Sequence, residues 1–178
     1  MGIGLLILRL VVGGLFFAHG TQKLFGWFGG YGLGGTGGFL ESLGYPRGRV
    51  MAAVTGLTEA GAGLLLAAGF LTPLAGAAIL GVMLNAVVSA KWSQGLIGGF
   101  ELDVLYATVG AAMAFIGAGA YSVDRVIDDH VANWTLYGWK YGVGAIALAV
   151  VTGLAALVSR RPRARAVEAL TDVDRQAA

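Results

Sequence analysis

The amino-acid sequence predicts an all-α fold, a polytopic membrane helix bundle, and three observations carry that prediction. Of the 178 residues, 57% are hydrophobic and only 12% charged, where a soluble domain carries about 25% charged residues. Five stretches are each long and apolar enough to cross a hydrocarbon layer of roughly 30 Å, which takes about 20 residues of helix. Thirty-one glycines fit the same reading, because helices in lipid associate through close backbone packing rather than through the hydrophobic effect.

The first span lies near residues 4–26. No basic segment precedes its apolar run, so Gly2 to Phe17 reads as a retained span rather than a cleaved signal. It carries Arg9, His19 and Lys23, which at 100° per residue fall within an arc of roughly 80°. That is one polar stripe, expected to face other helices and not lipid. Residues 27–49 follow, with the run GWFGGYGLGGTGGF. The glycines exclude a long regular helix, and FLESLGYP predicts a short amphipathic helix stopped before Pro46. Trp27, Phe28, Tyr31 and Phe39 read as interfacial anchors. No strand precedes these glycines, so they make no phosphate cradle.

The second span, 50–70, holds Glu59 near its middle. Thr72-Pro73 turns the chain into the third, 73–91, which contains Asn85 and closes on Lys91-Trp92. The elbow GLIGGF leads to the fourth, 100–119, opening with Glu101 and Asp103 and running into GAGAYSVDR. Residues 122–136, with Asp124, Asp128, Asp129 and His130, belong in water. The fifth span, 137–158, follows an aromatic cluster from Trp134 to Tyr141. The basic tail, 159–178, is short of large apolar residues and is expected to be disordered or weakly helical. The organisation is then a four-helix membrane domain over 1–125, an extramembrane loop with the fifth transmembrane helix over 126–158, and the tail.

Charge orients the bundle. Arg47, Arg49, Lys91, Arg160, Arg161, Arg163 and Arg165 lie on one side, against Arg125 and Lys140 on the other. The positive-inside rule puts the C-terminus in the cytoplasm and the N-terminus outside. The net charge of +2 resides largely in the tail, so nucleic acid is not an expected partner. A chain without cysteine cannot run thiol–disulfide chemistry or ligate a metal through thiolate, and a redox role requires a bound cofactor or a partner.

The polar groups of different spans converge. With the first two spans antiparallel and turning near residues 27 and 50, a rise of 1.5 Å per residue sets Glu59 level with His19. A carboxylate beside an imidazole there would stabilise both against burial. Lys23, Asn85, Lys91, Glu101 and Asp103 gather in the same third of the bundle. The expectation is a polar pocket of His19, Lys23, Glu59, Asn85 and Glu101, floored by His19 and Glu59 and opening towards the glycine-rich connection. Arg9 and Lys140 are expected to snorkel to an interface, and Asp103 and Lys91 to be ordinary solvated charges at helix ends. Asn85 suits a packing hydrogen bond as well as a ligand contact. Glu59 suits a structural ion pair as well as a functional site. One imidazole with scattered carboxylates gives no metal site, and His130 sits in a solvated loop. Small residues such as Gly61-Ala-Gly63 permit a homo-oligomer without requiring one.

The opening LLILRLVVGGLFFAHGTQKLFG resembles the first helix of the DoxX family of bacterial membrane proteins, with an Arg early in the helix followed by H-G-x-x-K-L-F-G. The likeness continues through FLESLGYP, through Glu59 with its following glycines and leucines, through GGFE ending in Glu101, and through GAGAYSVDR. It runs from about residue 4 to 125. The matched polar positions are Arg9, His19, Gly20, Lys23, Glu59, Glu101, Ser122 and Asp124. The resemblance implies a four-helix core, to which this chain adds a fifth helix and a basic tail. It also implies a bacterial inner (plasma) membrane location and a redox-associated role, through quinone or sulfur chemistry or the response to oxidative stress. On that reading His19 and Lys23 hold a quinone carbonyl or a small anion, and Glu59 or Glu101 relays protons. Two further readings remain: a small-solute or proton-coupled transporter, and a non-catalytic scaffold docking a soluble or membrane oxidoreductase through the 28–49 loop and the tail.

Overall fold

The computed structural model describes residues 2–131 and 134–161, and its elements are all helical. Helix α1 spans Gly2–Phe25, α2 Gly32–Ser42, α3 Gly48–Ala68, α4 Thr72–Ala86, α5 Glu101–Ile116, α6 Val123–Asp128 and α7 Trp139–Val158. Five helical segments are long and apolar enough to cross a membrane: Gly2–Phe25, Gly48–Ala68, Thr72–Gln94, Leu96–Ile116 and Trp139–Val158. The protein is therefore a multi-pass membrane protein whose apolar outer surface faces lipid.

Glycine sets the helix pairs. Gly13 and Gly20 stand one heptad apart on α1, as Gly56 and Gly63 do on α3. A Cβ on Gly20 would lie 2.3 Å from the Ala60 nitrogen, and one on Gly63 would lie 2.4 Å from the Phe17 nitrogen. The backbones of α1 and α3 thus touch along an antiparallel seam that any side chain would force apart. Gly76 does the same for α4 against α5, its Cβ position lying 2.3 Å from the Gly110 carbonyl oxygen. Helix α7 packs on α4 and α5, partly through the cluster Ala77, Ala114 and Ala145. Of the Gly61-Ala-Gly63 motif, Gly63 is used inside the bundle, while Gly61 faces open space. Phe16, Leu66, Ile79 and Met113, all fully buried, form the centre of the core.

Three local features depart from the sequence-based expectations. Helix α2 begins at Gly32, so most of the glycine-rich stretch read as loop is helical. The reason is packing, which outweighs poor intrinsic propensity: Gly37 lies so close to the start of α3 that a Cβ there would be 2.8 Å from the Arg49 nitrogen. The third span loses its regular winding after Ala86. A π-helical turn over Val87–Lys91 is followed by a 3-10 turn over Trp92–Gln94 and by an elbow in which Gly98 takes φ 76°. Trp92 stacks on Phe100 across that elbow, ring centroids 5.9 Å apart. Finally, the chain leaving α7 docks on the α2–α3 connection. The Arg161 backbone N–H donates to the Gly44 carbonyl at 2.8 Å, Arg160 Nε donates to the Leu43 carbonyl at 2.9 Å, and the Arg160 guanidinium lies 5.5 Å from the Tyr45 ring centroid. The rest of the basic tail, 162–178, lies outside the described residues.

Candidate functional site: a polar chamber between the helices

A chamber of about 840 Å³ lies between the spans, walled by side chains from α1, α2, α3, α4, α5 and α7. Its walls are predominantly apolar, and its polar groups are His19, Lys23, Glu59, Asn85, Lys91, Asp103 and a few hydroxyls and amides. Two cation–carboxylate pairs stand in it. Lys23 of α1 pairs with Glu59 of α3 through Nζ and Oε2. Lys91, at the end of the π-helical turn, pairs with Asp103 of α5 at 2.6 Å. Each carboxylate is almost wholly buried, while each ammonium retains partial access, 29% for Lys23 and 37% for Lys91. The pairs therefore look into the chamber from its wetter end.

The backbone register of α1 and α3 matches the counted one, Gly20 lying against Ala60, yet the partner of Glu59 is Lys23 and not His19. Side-chain direction explains the difference. Helical side chains lean towards their own N-terminus, so in antiparallel helices Lys23 and Glu59 each reach back along their own helix and meet. His19 remains on the chamber wall. Its Nδ1 shares a hydrogen bond of 3.1 Å with Gln22 Oε1, and its ring stands edge-on to Tyr106 at 6.2 Å between centroids.

Asn85 also faces the chamber. Its Oδ1 accepts from the Tyr45 hydroxyl at 2.8 Å. Glu101 does not: it is exposed and caps the elbow by accepting the Gly98 N–H. Two residues along a helix turn the side chain by about 200°, which carries Asp103 inward when Glu101 points out. Asp103 and Lys91, read from sequence as solvated helix-end charges, are thus the second pair of the chamber. The signal available in the sequence was the helical period, which makes 101 and 103 alternatives. Tyr45 carried no signal beyond its place in FLESLGYP.

A smaller cavity of about 550 Å³ adjoins the first and shares Lys23, Thr36 and Phe39 with it. Its other lining groups are Gln22 near the end of α1, Gly29, Gly30 and Tyr31 of the α1–α2 connection, and Gly35 in the first half of α2. The glycine-rich connection thus lines a cavity bordering the chamber, on the side expected from the sequence for its mouth.

Arg9, Ser122 and Asp124 form a separate assembly at the other end of the bundle, about 20 Å along α1 from Lys23. Arg9 does not snorkel. It is 1% exposed, and its Nη2 donates to the Tyr121 carbonyl, while Nε and Nη1 have no hydrogen-bond partner among the described residues. Gly69 makes room for it: φ is 65° there, and a Cβ would fall 1.7 Å from Arg9 Nη1. Asp124 accepts from the Leu71 N–H at 2.9 Å, the Thr72 N–H at 3.1 Å and the Thr72 hydroxyl at 2.8 Å. Ser122 caps α6 by accepting the Arg125 N–H at 3.1 Å. Among the described residues no group of three or more His, Cys, Asp or Glu side chains is arranged to hold a metal ion.

Comparison with known proteins bears on these motifs. The DoxX family model matches residues 4–92, which hold Arg9, His19, Gly20, Lys23, Glu59, Asn85 and Lys91. A Bacillus subtilis (strain 168) protein named "Putative oxidoreductase CatD" is 30% identical over 125 residues, covering 70% of this chain and 87% of that protein. No solved structure matches the chain. With a family model matched over half its length, and with this relative aligned over most of both chains, the chain belongs to the DoxX family.

Proposed function

We propose that this protein is the membrane component of a redox system in the bacterial cell membrane, and that its chamber receives a quinone or a comparable flat, lipophilic redox carrier. One observation carries the reading: a mostly apolar cavity of about 840 Å³, within the range of small-molecule sites, holds an amide and two cation–carboxylate pairs whose carboxylates are buried. Buried charge inside a membrane protein is costly to keep and marks function by default. The donor set fits carbonyl acceptors, and the apolar walls fit a ring. When bound, a quinone supplies two-electron, two-proton carrier chemistry. The chain's own part is to hold the ring oxygens with Lys23, His19 and Asn85, to keep bulk water from the apolar walls, and to carry protons between the mouth and the chamber at Glu59 Oε2. A cysteine-free chain has no thiol to offer electrons, so these come from a further bound cofactor or from a partner oxidoreductase.

The relative's printed name, which includes the word oxidoreductase, supports the same class of role. Arg47, Arg49, Lys91, Arg160 and Arg161 lie at the mouth end, so the positive-inside rule favours a mouth facing the cytoplasm and an N-terminus outside. That face offers a partner the α1–α2 connection and the chain leaving α7 at Arg160 and Arg161. Transport of a solute would need an opening towards Arg9, and of the fully buried core residues Phe16, Leu66, Ile79 and Met113 only Phe16 lines the chamber.

The test is lipid extraction of the purified protein with quantification of quinone per chain, followed by titration of a decyl-substituted benzoquinone against tryptophan fluorescence. Stoichiometric quinone or saturable quenching, lost in Lys23→Met, is expected. No quinone and no quenching, together with gradient-driven solute uptake in vesicles that Glu59→Gln abolishes, would replace this reading with transport.

A further inference from the structure

We propose that Asn85, oriented by Tyr45, is a second hydrogen-bonding station of the chamber, so that the site selects a two-ended ligand: a flat body with one acceptor oxygen towards the Lys23–Glu59 pair and another towards Asn85. This rests on the reading above and narrows it to a dicarbonyl ring.

The hydrogen-bond inventory of the chamber leads to Asn85. The Thr58 and Thr152 hydroxyls are turned back onto their own helices, donating to the Val54 and Leu148 carbonyls at 2.8 Å each. Lys91 is held by Asp103, and Lys23 by Glu59. Asn85 differs. Its carbonyl is committed to the Tyr45 hydroxyl at 2.8 Å, but its Nδ2 has only the Gly153 carbonyl of α7, at 3.5 Å, the outer edge of hydrogen-bonding distance. An amide nitrogen carries two N–H donors, so donor capacity is left over inside an apolar-walled space. Leaving such a donor unmet is unfavourable, and a ligand oxygen relieves it.

The orientation is fixed and not incidental. Tyr45 is 4% exposed and its backbone N–H donates to the Leu40 carbonyl at 3.1 Å. The Arg160 guanidinium lies 5.5 Å from its ring centroid. With the Asn85 oxygen taken by this immobilised phenol, the amide nitrogen is the atom left for a ligand. The two stations come from different helix pairs. Lys23 and Glu59 belong to the α1–α3 pair, whereas Asn85 is on α4 where α7 packs, and all three line the chamber. Tyr45 is a positioning residue in this scheme, and Asn85 the group that touches the ligand. The helix that follows the family's four-helix pattern, α7, thereby takes part in recognition.

The experiment compares two probes on the full-length protein in detergent by isothermal titration calorimetry: a decyl-substituted 1,4-benzoquinone, and a ring of the same size and chain carrying a single carbonyl. The wild type is expected to prefer the dicarbonyl about tenfold, the scale of one hydrogen bond to a neutral donor. Asn85→Leu is expected to abolish that preference while leaving affinity for the single-carbonyl probe unchanged. Tyr45→Phe is expected to reduce the preference severalfold, a change in the ratio of two affinities that a merely structural defect would not produce. Asn85→Ala serves where the leucine variant fails to fold. A wild type that binds both probes alike, or an Asn85 variant that keeps the tenfold preference, overturns this inference and leaves the quinone reading standing. A wild type that binds neither probe overturns both.

Discussion

The α1–α3 seam makes a sharp quantitative prediction, because the atoms that crowd it are backbone. In Gly20→Ala the new Cβ would sit 2.3 Å from the Ala60 nitrogen, 2.6 Å from the Gly56 oxygen and 2.8 Å from the Ala60 Cα. None of these can swing aside as a side-chain tip would. Restoring contacts near 3.5 Å moves α1 off α3 by about 1 Å. Overpacking of this kind costs about 1–3 kcal/mol, and a backbone-to-backbone clash belongs at the upper end. For a chain of this size each kcal/mol shifts the midpoint by about 2–4 °C, so the expected loss is roughly 6–12 °C. Gly14→Ala is the control on the same helix, since a Cβ there meets nothing within 4 Å, and alanine is the better helix former. The assay is thermal unfolding of both variants in the same detergent at one scan rate, because membrane proteins often unfold irreversibly. The displacement would also draw Lys23 from Glu59, so Gly20→Ala should weaken quinone binding and Gly14→Ala should not. If the two variants melt within about 2 °C of each other, the seam is not the tight contact described and the argument fails.

The Lys23–Glu59 pair predicts an asymmetry. Lys23→Met strips the counterion from a carboxylate that is 3% exposed and should destabilise by about 3 kcal/mol, the low end for a buried pair because the ammonium is partly solvated. Glu59→Gln leaves an ammonium that can turn to the mouth, and should cost about 1 kcal/mol or less; equal losses in denaturant titrations would contradict the burial difference. The fourth span predicts a second contrast. Asp103→Asn, which breaks the pair with Lys91 inside the chamber, should reduce quinone affinity severalfold, whereas Glu101→Gln, on an exposed elbow cap, should leave it unchanged. Calorimetric titration distinguishes them, and the reverse order would show that the chamber's polar lining has been misassigned.

The bundle was legible in the sequence because five long apolar runs are a strong signal and their length is dictated by the bilayer. The convergence of polar groups was legible in part. The facing of Arg9, His19 and Lys23 followed from the helical period, as did the level of Glu59 opposite the first span. The pairing did not, because it depends on the lean and length of Lys23 and Glu59, which a count of residues omits. Glu101 and Asp103 are near-equal candidates by composition and differ only in the phase of α5, set by the elbow around Gly98. Arg9 read as a snorkelling residue because its cradle, Gly69 and the Tyr121 carbonyl, comes from segments 60 and more residues away. Only the end of helix α2, in FLESLGYP, was legible, because intrinsic propensity argues against a helix through the five glycines before it, while close contact with the start of α3 favours one.

The two buried charge assemblies invite the same inference from sequence and deserve opposite ones from structure. Asp124 is met by two backbone N–H groups and a hydroxyl, and Arg9 reaches a backbone carbonyl. These partners are mostly parts of the main chain, so rearranging them means moving the turns at 69–72 and 119–124 and unfolding one end of the bundle. That assembly acts as architecture. Lys23 and Glu59, and likewise Lys91 and Asp103, are tied to each other by side chains alone, border a cavity, and keep the ammonium partly wet. A flexible lysine can exchange its carboxylate for a ligand oxygen or a water at the mouth without disturbing any helix. The electrostatic cost of burial is then offset in two states instead of one, which is what a site that binds and releases requires. On the function proposed above, the end of the membrane domain that does chemistry is the one where charge is held by side chains alone, next to the glycine-rich connection.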